Sequence, residues 1–130
     1  MSELFQTLAI SASGMKAQAG RIRFLSENIA NADTPGYRRK SASFEDDVSG
    51  GQKTGMVHTG PVELDQRTLT RIFDPGHPLA DETGYYDGSN VDLVVEIADA
   101  REAQRSYEAN LNMFDQARQM SQSLLELLRR

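Results

Sequence analysis

The sequence lacks cysteine altogether. This absence excludes disulfide scaffolds, cysteine zinc sites, thiol nucleophiles and iron–sulfur clusters. It leaves the redox compartment open, because a chain without thiols behaves alike in oxidising and reducing surroundings. The two histidines, His58 and His77, are too few and too far apart for a zinc cluster, and neither lies in a nucleophile-elbow motif. We therefore expect both to be loop or surface residues.

Long hydrophobic runs are also missing. No stretch of about 18 apolar residues occurs, so no segment is predicted to cross a membrane. Polar residues interrupt the first ten positions, and we expect no cleavable signal peptide there. Leu, Ile, Val and Phe together form about 22% of the 130 residues, just above the roughly 20% at which disorder becomes the expectation. The chain can bury only a modest core alone, and partners are expected to supply part of its order.

The chain has no excess of positive charge. Its 14 basic residues stand against 19 acidic ones, for a formal net charge of −5. Phosphate binding requires a basic surface, so nucleic acid is not expected to be the main ligand. The segment 50–55 lacks the glycine that precedes the lysine of a phosphate-binding loop, and the acidic segment 81–92 fails the calcium-loop spacing. We predict no catalytic residue, no cofactor and no metal site.

Helical periodicity dominates the N-terminal part of the chain. Between residues 3 and 31, apolar residues recur every seven positions at Leu8, Met15, Ile22 and Ile29. A neighbouring row is small at Ala12 and Ala19, which predicts that another backbone approaches closely there. Ser2 is expected to cap the start of this helix. Pro35 and Gly36 suit the centre of a type II turn, which is expected to end it.

A different composition follows, in which glycine, proline and short alternations predict a β-rich insert. Strand pieces are expected at 56–59, 62–64 and 68–73, with a mobile tip near 49–55. The helical period returns near residue 91 and continues to the end. Ser89 and Asp92 have the spacing of a capping box at the start of this second helix.

The predicted fold is mainly α with a small β-rich insert. The two long terminal helices are expected to pair antiparallel as a coiled-coil-like domain, made of residues 1–33 and 90–130, with the insert at 34–89. Periodicity alone fits an intramolecular core and an intermolecular interface equally. Apolar residues wrap most of the last two helical turns, which indicates lateral association with further chains. These residues are Leu124, Leu125, Leu127 and Leu128.

Three ordered motifs give the sequence a family resemblance. The segment 26–38, SENIANADTPGYR, closely resembles the pattern S-x-N-I/L-A-N-x-x-T-P-G-Y-K/R of flagellar rod and hook proteins. The segments 74–85 and 89–92 resemble the P-x-H/N-P-x-A-D/N-x-x-G-Y-V and P-N-V-N/D blocks of proximal rod proteins, and 105–110 resembles their R-x-Y-E/Q-A-N block. The chain is therefore identified as a member of the flagellar axial protein family, over most of its length except about 41–71.

The resemblance implies which residues serve assembly. The motif residues assigned to assembly are Asn28, Ala30, Asn31, Thr34, Pro35, Gly36, Tyr37, Pro78, Ala80, Asp81, Gly84, Tyr85, Asn90, Val91, Arg105, Tyr107, Ala109 and Asn110. The residues expected to pack helices are Leu8, Ala12, Met15, Ala19, Ile22, Ile29, Leu93, Ile97, Leu111, Phe114 and Leu125. Asn28 and Asn31 are further expected to bond the backbone at the helix end.

The resemblance also implies a function and partners. It implies a structural axial subunit of the bacterial flagellar basal-body rod, not an enzyme, which polymerises through its terminal helices and transmits torque. The expected partners are further copies of the chain, the rod proteins FlgB, FlgF and FlgG, the adaptor FliE and the flagellar type III export apparatus. The expected location is the rod in the periplasmic space. The residues alone also leave open a generic coiled-coil adaptor without catalytic activity, and an enzyme with a pocket of converging polar groups.

Overall fold

A computed structural model describes residues 2–129 as two long helices with a β-rich region between them. The elements in chain order are α1 (Ser2–Ala30), β1 (Lys40–Ser41), β2 (Phe44–Ser49), β3 (Gln52–Thr59), β4 (Glu63–Leu64), β5 (Arg71–Phe73), β6 (Tyr85–Asp87) and α2 (Leu93–Leu128). The two helices pack together, which confirms the predicted class in its coarse form. Within residues 2–129, no helix is long and apolar enough to cross a membrane.

The two helices run antiparallel. A Cβ atom added to Gly14 would lie 2.8 Å from the Asn110 side chain. Further along α1, Arg21 Nη2 lies 3.7 Å from Glu102 Oε2 on α2. Residues that come later on α1 therefore meet residues that come earlier on α2.

Small side chains form the contact between the helices. Ser11 and Ala17 on α1 and Ala103 and Ala117 on α2 are buried. Gly14 lies between the first two at a spacing of three residues, which places all three on one helix face. Small residues let two backbones approach closely at these positions, and the larger Leu25 of α1 is buried as well.

The close approach predicted at Ala12 and Ala19 is wrong for the contact within the chain. Both side chains are exposed. The predicted row of Leu8, Met15, Ile22 and Ile29 is half-buried, whereas the buried positions of the neighbouring row are Ser11 and Leu25 rather than Ala12 and Ala19.

Both predicted helix caps are also wrong. Ser2 already belongs to α1. The N-cap of α2 is Asp92, whose side chain accepts a hydrogen bond from the Val94 amide at 3.1 Å. Ser89 instead donates to the Ala32 carbonyl and accepts from the Val91 amide. A short polar side chain can serve a neighbouring loop as readily as a helix end, so spacing alone misplaced the cap.

The predicted type II turn after α1 is confirmed. The Tyr37 amide donates to the Thr34 carbonyl at 3.2 Å. Gly36 has a φ of +74°, the positive value that the third residue of this turn requires. The turn directs the chain out of the helix and into β1.

The β-rich region consists of three two-stranded antiparallel sheets, which pair β1 with β4, β2 with β3, and β5 with β6. The predicted strand pieces overlap β3, β4 and β5, whereas β1, β2 and β6 were not predicted. The expected loop at 49–55 is mostly strand, because Gly50 and Gly51 close a two-residue hairpin connection with φ values of +60° and +81°. Positive φ at both positions matches the twist of a hairpin. The mobility of this tip stays a prediction.

The β2–β3 hairpin lies along α1. The Val57 amide donates to Ser13 Oγ at 3.2 Å. A Cβ on Gly55 would lie 3.0 Å from Ile10 Cδ1. The hairpin and α2 therefore both pack against α1.

Candidate functional site

Asn28 lies at the centre of the contact between helices and insert. It is completely buried. Its Oδ1 accepts hydrogen bonds from the Tyr37 hydroxyl at 2.8 Å and from the Lys40 amide at 2.9 Å. Its Nδ2 donates to the Lys40 carbonyl at 2.9 Å and to Glu96 Oε2 at 3.4 Å. The amide group thus uses two donors and two acceptor positions, which is its full capacity.

The contact with Lys40 explains why an amide side chain stands at this position. Asn28 both accepts from the amide of Lys40 and donates to its carbonyl. A neighbouring backbone would make the same pair of bonds, and an amide has the same donor and acceptor. Asn28 therefore gives the start of β1 a substitute for a strand partner.

Glu96 joins the first turn of α2 to this cluster. Its side chain is fully buried and accepts from Arg39 Nε. Arg39 Nη2 also lies 3.4 Å from Asp99 Oδ2. A buried carboxylate is costly unless it is paired and hydrogen-bonded. Arg39 and Asn28 together provide what Glu96 requires.

Asn90 connects the cluster to the loop after β4. Its Oδ1 accepts from the Arg39 amide at 2.7 Å, and its Nδ2 donates to the Asp65 and Arg67 carbonyls at 2.9 and 3.2 Å. The Arg38 guanidinium donates to the same two carbonyls at 3.1 Å. The Arg67 side chain donates to Asp65 and holds the pKa of that carboxyl below its usual value.

Tyr37 closes the cluster on the side of the turn. Burial raises the pKa of its hydroxyl, and this hydroxyl donates a hydrogen bond to Asn28 Oδ1. Asn31 donates to the Glu27 carbonyl at 2.9 Å and accepts from Thr34 Oγ1 at 3.0 Å. The predicted bond from Asn31 to the backbone at the helix end is therefore confirmed. Asn28 also bonds backbone groups, but they belong to Lys40 in β1 and not to the helix end.

We refer to Asn28, Tyr37, Arg39, Asn90 and Glu96 as the Asn28 junction. It brings Asn28 and Tyr37 of the segment 26–38 together with Asn90 of the segment 89–92. Arg39 and Glu96 were not predicted. Arg39 lies in a run of three basic residues, and Glu96 lies in the first turn of a helix where charged residues are usually solvated. No signal in the sequence pairs them.

A second cluster surrounds Asp81. Its Oδ1 accepts from the Thr83 hydroxyl at 2.6 Å and from the Thr83 and Tyr85 amides at 2.9 and 3.1 Å. Its Oδ2 accepts from Arg71 Nη2 at 2.7 Å. These hydrogen bonds, that from the Thr83 hydroxyl first, hold the pKa of Asp81 well below its usual range. Asp81 therefore holds the conformation of the loop between β5 and β6, residues 74–84, which we call the Asp81 loop.

Gly84 completes the Asp81 loop. It is buried with a φ of +87°, and an added Cβ would lie 2.8 Å from Phe73 Cε2. Tyr85 packs its ring 5.0 Å from that of Phe73. Of the remaining residues of this motif, Pro78 is exposed and Ala80 is half-buried.

The third motif lies on α2, away from both clusters. Tyr107 and Asn110 are half-buried, whereas Arg105 and Ala109 are exposed. Asn110 Nδ2 donates to the Ser106 carbonyl at 3.0 Å, and the same side chain contacts Gly14. Gly14 was not predicted, although a glycine inside a helix is a sign of close packing.

The predicted packing residues divide into half-buried and exposed ones. The half-buried ones are Leu8, Met15, Ile22, Ile29 and Phe114. Ala12 and Ala19 are exposed, and Leu93, Ile97, Leu111 and Leu125 remain between 38% and 47% exposed. A role of the exposed residues between chains stays a prediction.

Both histidines lie outside the Asn28 junction. His58 is exposed, with its Nε2 3.2 Å from Glu45 Oε2. The His77 ring stacks on Tyr86 at 3.9 Å between centroids. Among residues 2–129, no group of three or more His, Cys, Asp or Glu side chains is placed to hold a metal ion.

Comparisons with known proteins place the chain among the axial subunits of flagella, and the matched segments include most of α1, the turn after it and most of α2. The model of a family described as "Flagella basal body rod protein" matches residues 8–38. A second, described as "Flagellar basal body rod FlgEFG protein C-terminal", matches residues 82–127.

Similar proteins of known name narrow the class to one family. The chain is 40% identical to the flagellar basal-body rod protein FlgC of Agrobacterium fabrum, over 99% of this chain and 98% of that protein. It is 35% identical to FlgC of Salmonella typhimurium and 33% identical to FlgC of Escherichia coli O157:H7, each over 95% of this chain and 97% of the relative.

The chain belongs to the FlgC family of flagellar basal-body rod proteins. It is a structural rod subunit of the flagellar basal body. The family is not a known family of enzymes. Membership implies assembly with other rod proteins and with further copies of the chain.

Proposed function

We propose that the chain polymerises through its terminal helices into the proximal rod, where it transmits torque and supports motility. The observation that carries this proposal is the exposure of leucine at the end of α2. Leu124, Leu125, Leu127 and Leu128 are exposed by 41% to 76%. A monomer gains stability by burying such residues, and a contiguous apolar surface of this kind marks a protein contact.

We further propose that residues 1–33 and 90–130 form the polymerising domain, with 34–89 as the insert that it carries. Assembly would bring the exposed α2 residues of the predicted packing set into coiled-coil-like contacts between chains. The exposure of Leu93, Ile97, Leu111 and Leu125 within one chain supports this.

The assembly motifs then have separate roles. The Asn28 junction fixes the angle at which the insert leaves the helix pair, and the Asp81 loop fixes the last turn before α2. A subunit that is repeated along a filament repeats any error in this angle at every contact. Heterologous contacts that do not close into a ring produce a helical filament, which suits a rod.

The proposed partners are the rod proteins FlgB, FlgF and FlgG, the adaptor FliE and the flagellar type III export apparatus. The proposed location is the rod within the periplasmic space. These assignments are supported by the family motifs and by the similarity to FlgC proteins over nearly the whole chain.

Deletion of the gene tests the proposal, with loss of swimming and loss of assembled rods as the expected result. Basal bodies isolated from the deletion strain are inspected by electron microscopy, and a plasmid copy of the gene is expected to restore both properties. Swimming cells with complete rods in the deletion strain would rule the proposal out. Pull-down of each named partner with the assembled subunit then tests the individual contacts.

A further inference from the structure

A groove runs along the face of α1 that carries Ala12 and Ala19. Its volume is about 860 Å³, and Met56 and Val57 of β3 form its second wall. All of the side chains that line it belong to α1 or to the β2–β3 hairpin. We call it the α1 groove. The helix α2 takes no part in it, so the pairing of the two helices leaves it open.

The shape of the α1 groove suits a helix with large apolar side chains. Its lining extends along α1 from Ala9 to Phe24, a length of about 22 Å at 1.5 Å per residue. Ala12, Ala19 and Gly20 give it a floor of small residues. Packing between helices places large side chains of one helix over small ones of the other.

The last turns of α2 offer the complementary surface. Four of five consecutive residues in 124–128 are leucine, and all four are exposed. They surround most of the helix, so the contact with α1 of the same chain cannot cover them all. We call residues 124–129 the leucine tail. Its helical length is about 9 Å, which the α1 groove accommodates.

Charges fix the direction in which the leucine tail would lie. Lys16 and Asp47 both line the α1 groove. Asp47 lies nearer the N-terminal end of α1, because the adjoining Gly55 packs on Ile10. The leucine tail carries Glu126 followed by Arg129. Antiparallel to α1, it places Glu126 near Lys16 and Arg129 near Asp47.

We propose that the α1 groove of one copy binds the leucine tail of a second copy. This inference rests on the proposed function, since it names one contact of the polymer. The apolar residues supply the affinity, and the exposed ion pairs mainly set the direction. The groove and the tail are different surfaces of one chain. A dimer therefore still has one unoccupied groove and one unbound tail, so further copies can add at either end.

Cross-linking tests the contact directly, because the chain has no cysteine of its own. One preparation carries Ala19→Cys in the groove, and a second carries Leu127→Cys in the tail. Mixed under mild oxidant, they are expected to form the disulfide heterodimer as the main product. The matched control replaces the groove thiol by Ala98→Cys, an exposed position on α2, and is expected to give at least tenfold less heterodimer. Tail–tail dimers as the main product, or no cross-link, would overturn the proposal.

Complementation between blocked chains tests the head-to-tail arrangement by sedimentation velocity. The unmodified chain is expected to form a series of oligomers as concentration rises. Ala19→Arg blocks the groove, and Leu124→Ser combined with Leu127→Ser blocks the tail; circular dichroism checks that each chain keeps its helices. Each blocked chain alone is expected to be monomeric, and their mixture is expected to stop at the dimer.

The result separates this inference from the proposed function. If the chain blocked by Ala19→Arg still forms long oligomers, the α1 groove is not the contact. In that case, a deletion strain without rods would still support the role of the chain as a rod subunit. An unmodified chain that stays monomeric and also fails to cross-link would overturn the groove contact alone.

Discussion

The Asn28 junction and the distal end of the helix pair, where α1 begins and α2 ends, differ in how well one chain satisfies their side chains. At the junction, Asn28 and Glu96 are fully buried and each of them has hydrogen-bond partners. At the other end, Leu127 and Leu128 are 63% and 76% exposed. Within residues 2–129, the buried side-chain oxygens without a partner, Ser11 Oγ and Gln18 Oε1, also lie outside the junction.

This difference indicates that the junction contributes more to the stability of a single chain than the distal end does. Polar groups at the junction are satisfied within the chain, so their removal acts on the monomer. Apolar groups at the distal end are exposed within one chain, so their removal is expected to act on assembly more than on the monomer. Variants at the junction and at the distal end test this division directly, and variants in the turn after α1 and in the Asp81 loop are expected to have intermediate effects on the monomer.

Replacing Asn28 by Leu is expected to cause the largest loss. The change leaves the Tyr37 hydroxyl, the Lys40 amide and the Lys40 carbonyl without their partner. A buried polar group left unpaired costs about 1–3 kcal/mol, so the free energy of unfolding is expected to fall by about 3 kcal/mol or more in urea denaturation. The matched control is Asn112→Leu at an exposed position on α2. Similar losses in both variants would contradict the importance of the junction.

Replacing Gly36 by Val is expected to have the next largest effect. A Cβ at Gly36 meets no atom within 4 Å, so the cost comes only from the positive φ and is about 1–3 kcal/mol. Gly36→Asn is expected to be milder, because asparagine tolerates positive φ. Thermal unfolding measures both. The Val variant is expected to be exported, as detected by immunoblot of the secreted fraction, but to give non-motile cells without rods in isolated basal bodies. Equal behaviour of the two variants would show that the turn angle does not matter.

The Asp81 loop is expected to loosen in acid. The pKa of Asp81 is lowered in the folded chain, so its stabilisation is present above the ordinary aspartate pKa and is lost as the pH falls towards the folded value. Amide exchange at Tyr85 is expected to accelerate, beyond its intrinsic pH dependence, as the pH falls below about 4. Asp81→Asn should remove most of this acid effect, whereas Glu82→Gln, at an exposed neighbouring position, should retain it. An unchanged pH profile in Asp81→Asn would refute the assignment.

Replacing Leu128 by Ser is expected to have the smallest effect on the monomer. The side chain is 76% exposed, and exposed substitutions usually change stability by less than about 0.5 kcal/mol. Urea denaturation of dilute protein measures this. The same variant should associate more weakly in sedimentation experiments at high concentration. A clear loss of monomer stability would show that Leu128 stabilises the single chain more than its exposure indicates.

The features that were predictable from the sequence are those set by neighbouring residues. Both long helices follow from periodicity, and the turn follows from Pro35 and Gly36. The bonds of Asn31 lie within four residues of it and are equally local. Family motifs further marked Asn28 and Asn90 before any contact was known.

Other features could not be predicted because they depend on distant contacts. Asn28 and Glu96 are 68 positions apart, and a glutamate in a first helical turn is normally solvated. Gly14 of α1 contacts Asn110 of α2, and a glycine does not contribute to apolar periodicity. β2 has the sequence FEDDVS, whose acidic residues do not indicate a strand. It forms a strand because it pairs with β3.

The bonds of Asn28 also have a consequence for the order of folding. Its partner Lys40 is 12 positions away, whereas Glu96 is 68 positions away. Closing a short loop costs less chain entropy than closing a long one. The contact between Asn28 and Lys40 can therefore form in a chain whose second half is still unfolded. The longer-range bonds, from Asn28 to Glu96 and from the Arg39 amide to Asn90, form only when the chain from residue 90 onwards folds onto the first half.

Each half of the chain then controls a different rate. In stopped-flow experiments, Gly36→Val is expected to slow refolding, because the turn belongs to the loop that closes early. Asn90→Ala is expected to speed unfolding and leave refolding nearly unchanged. The first helix and its turn would set how fast a subunit reaches its folded shape, and the contacts with α2 would set how long it keeps that shape.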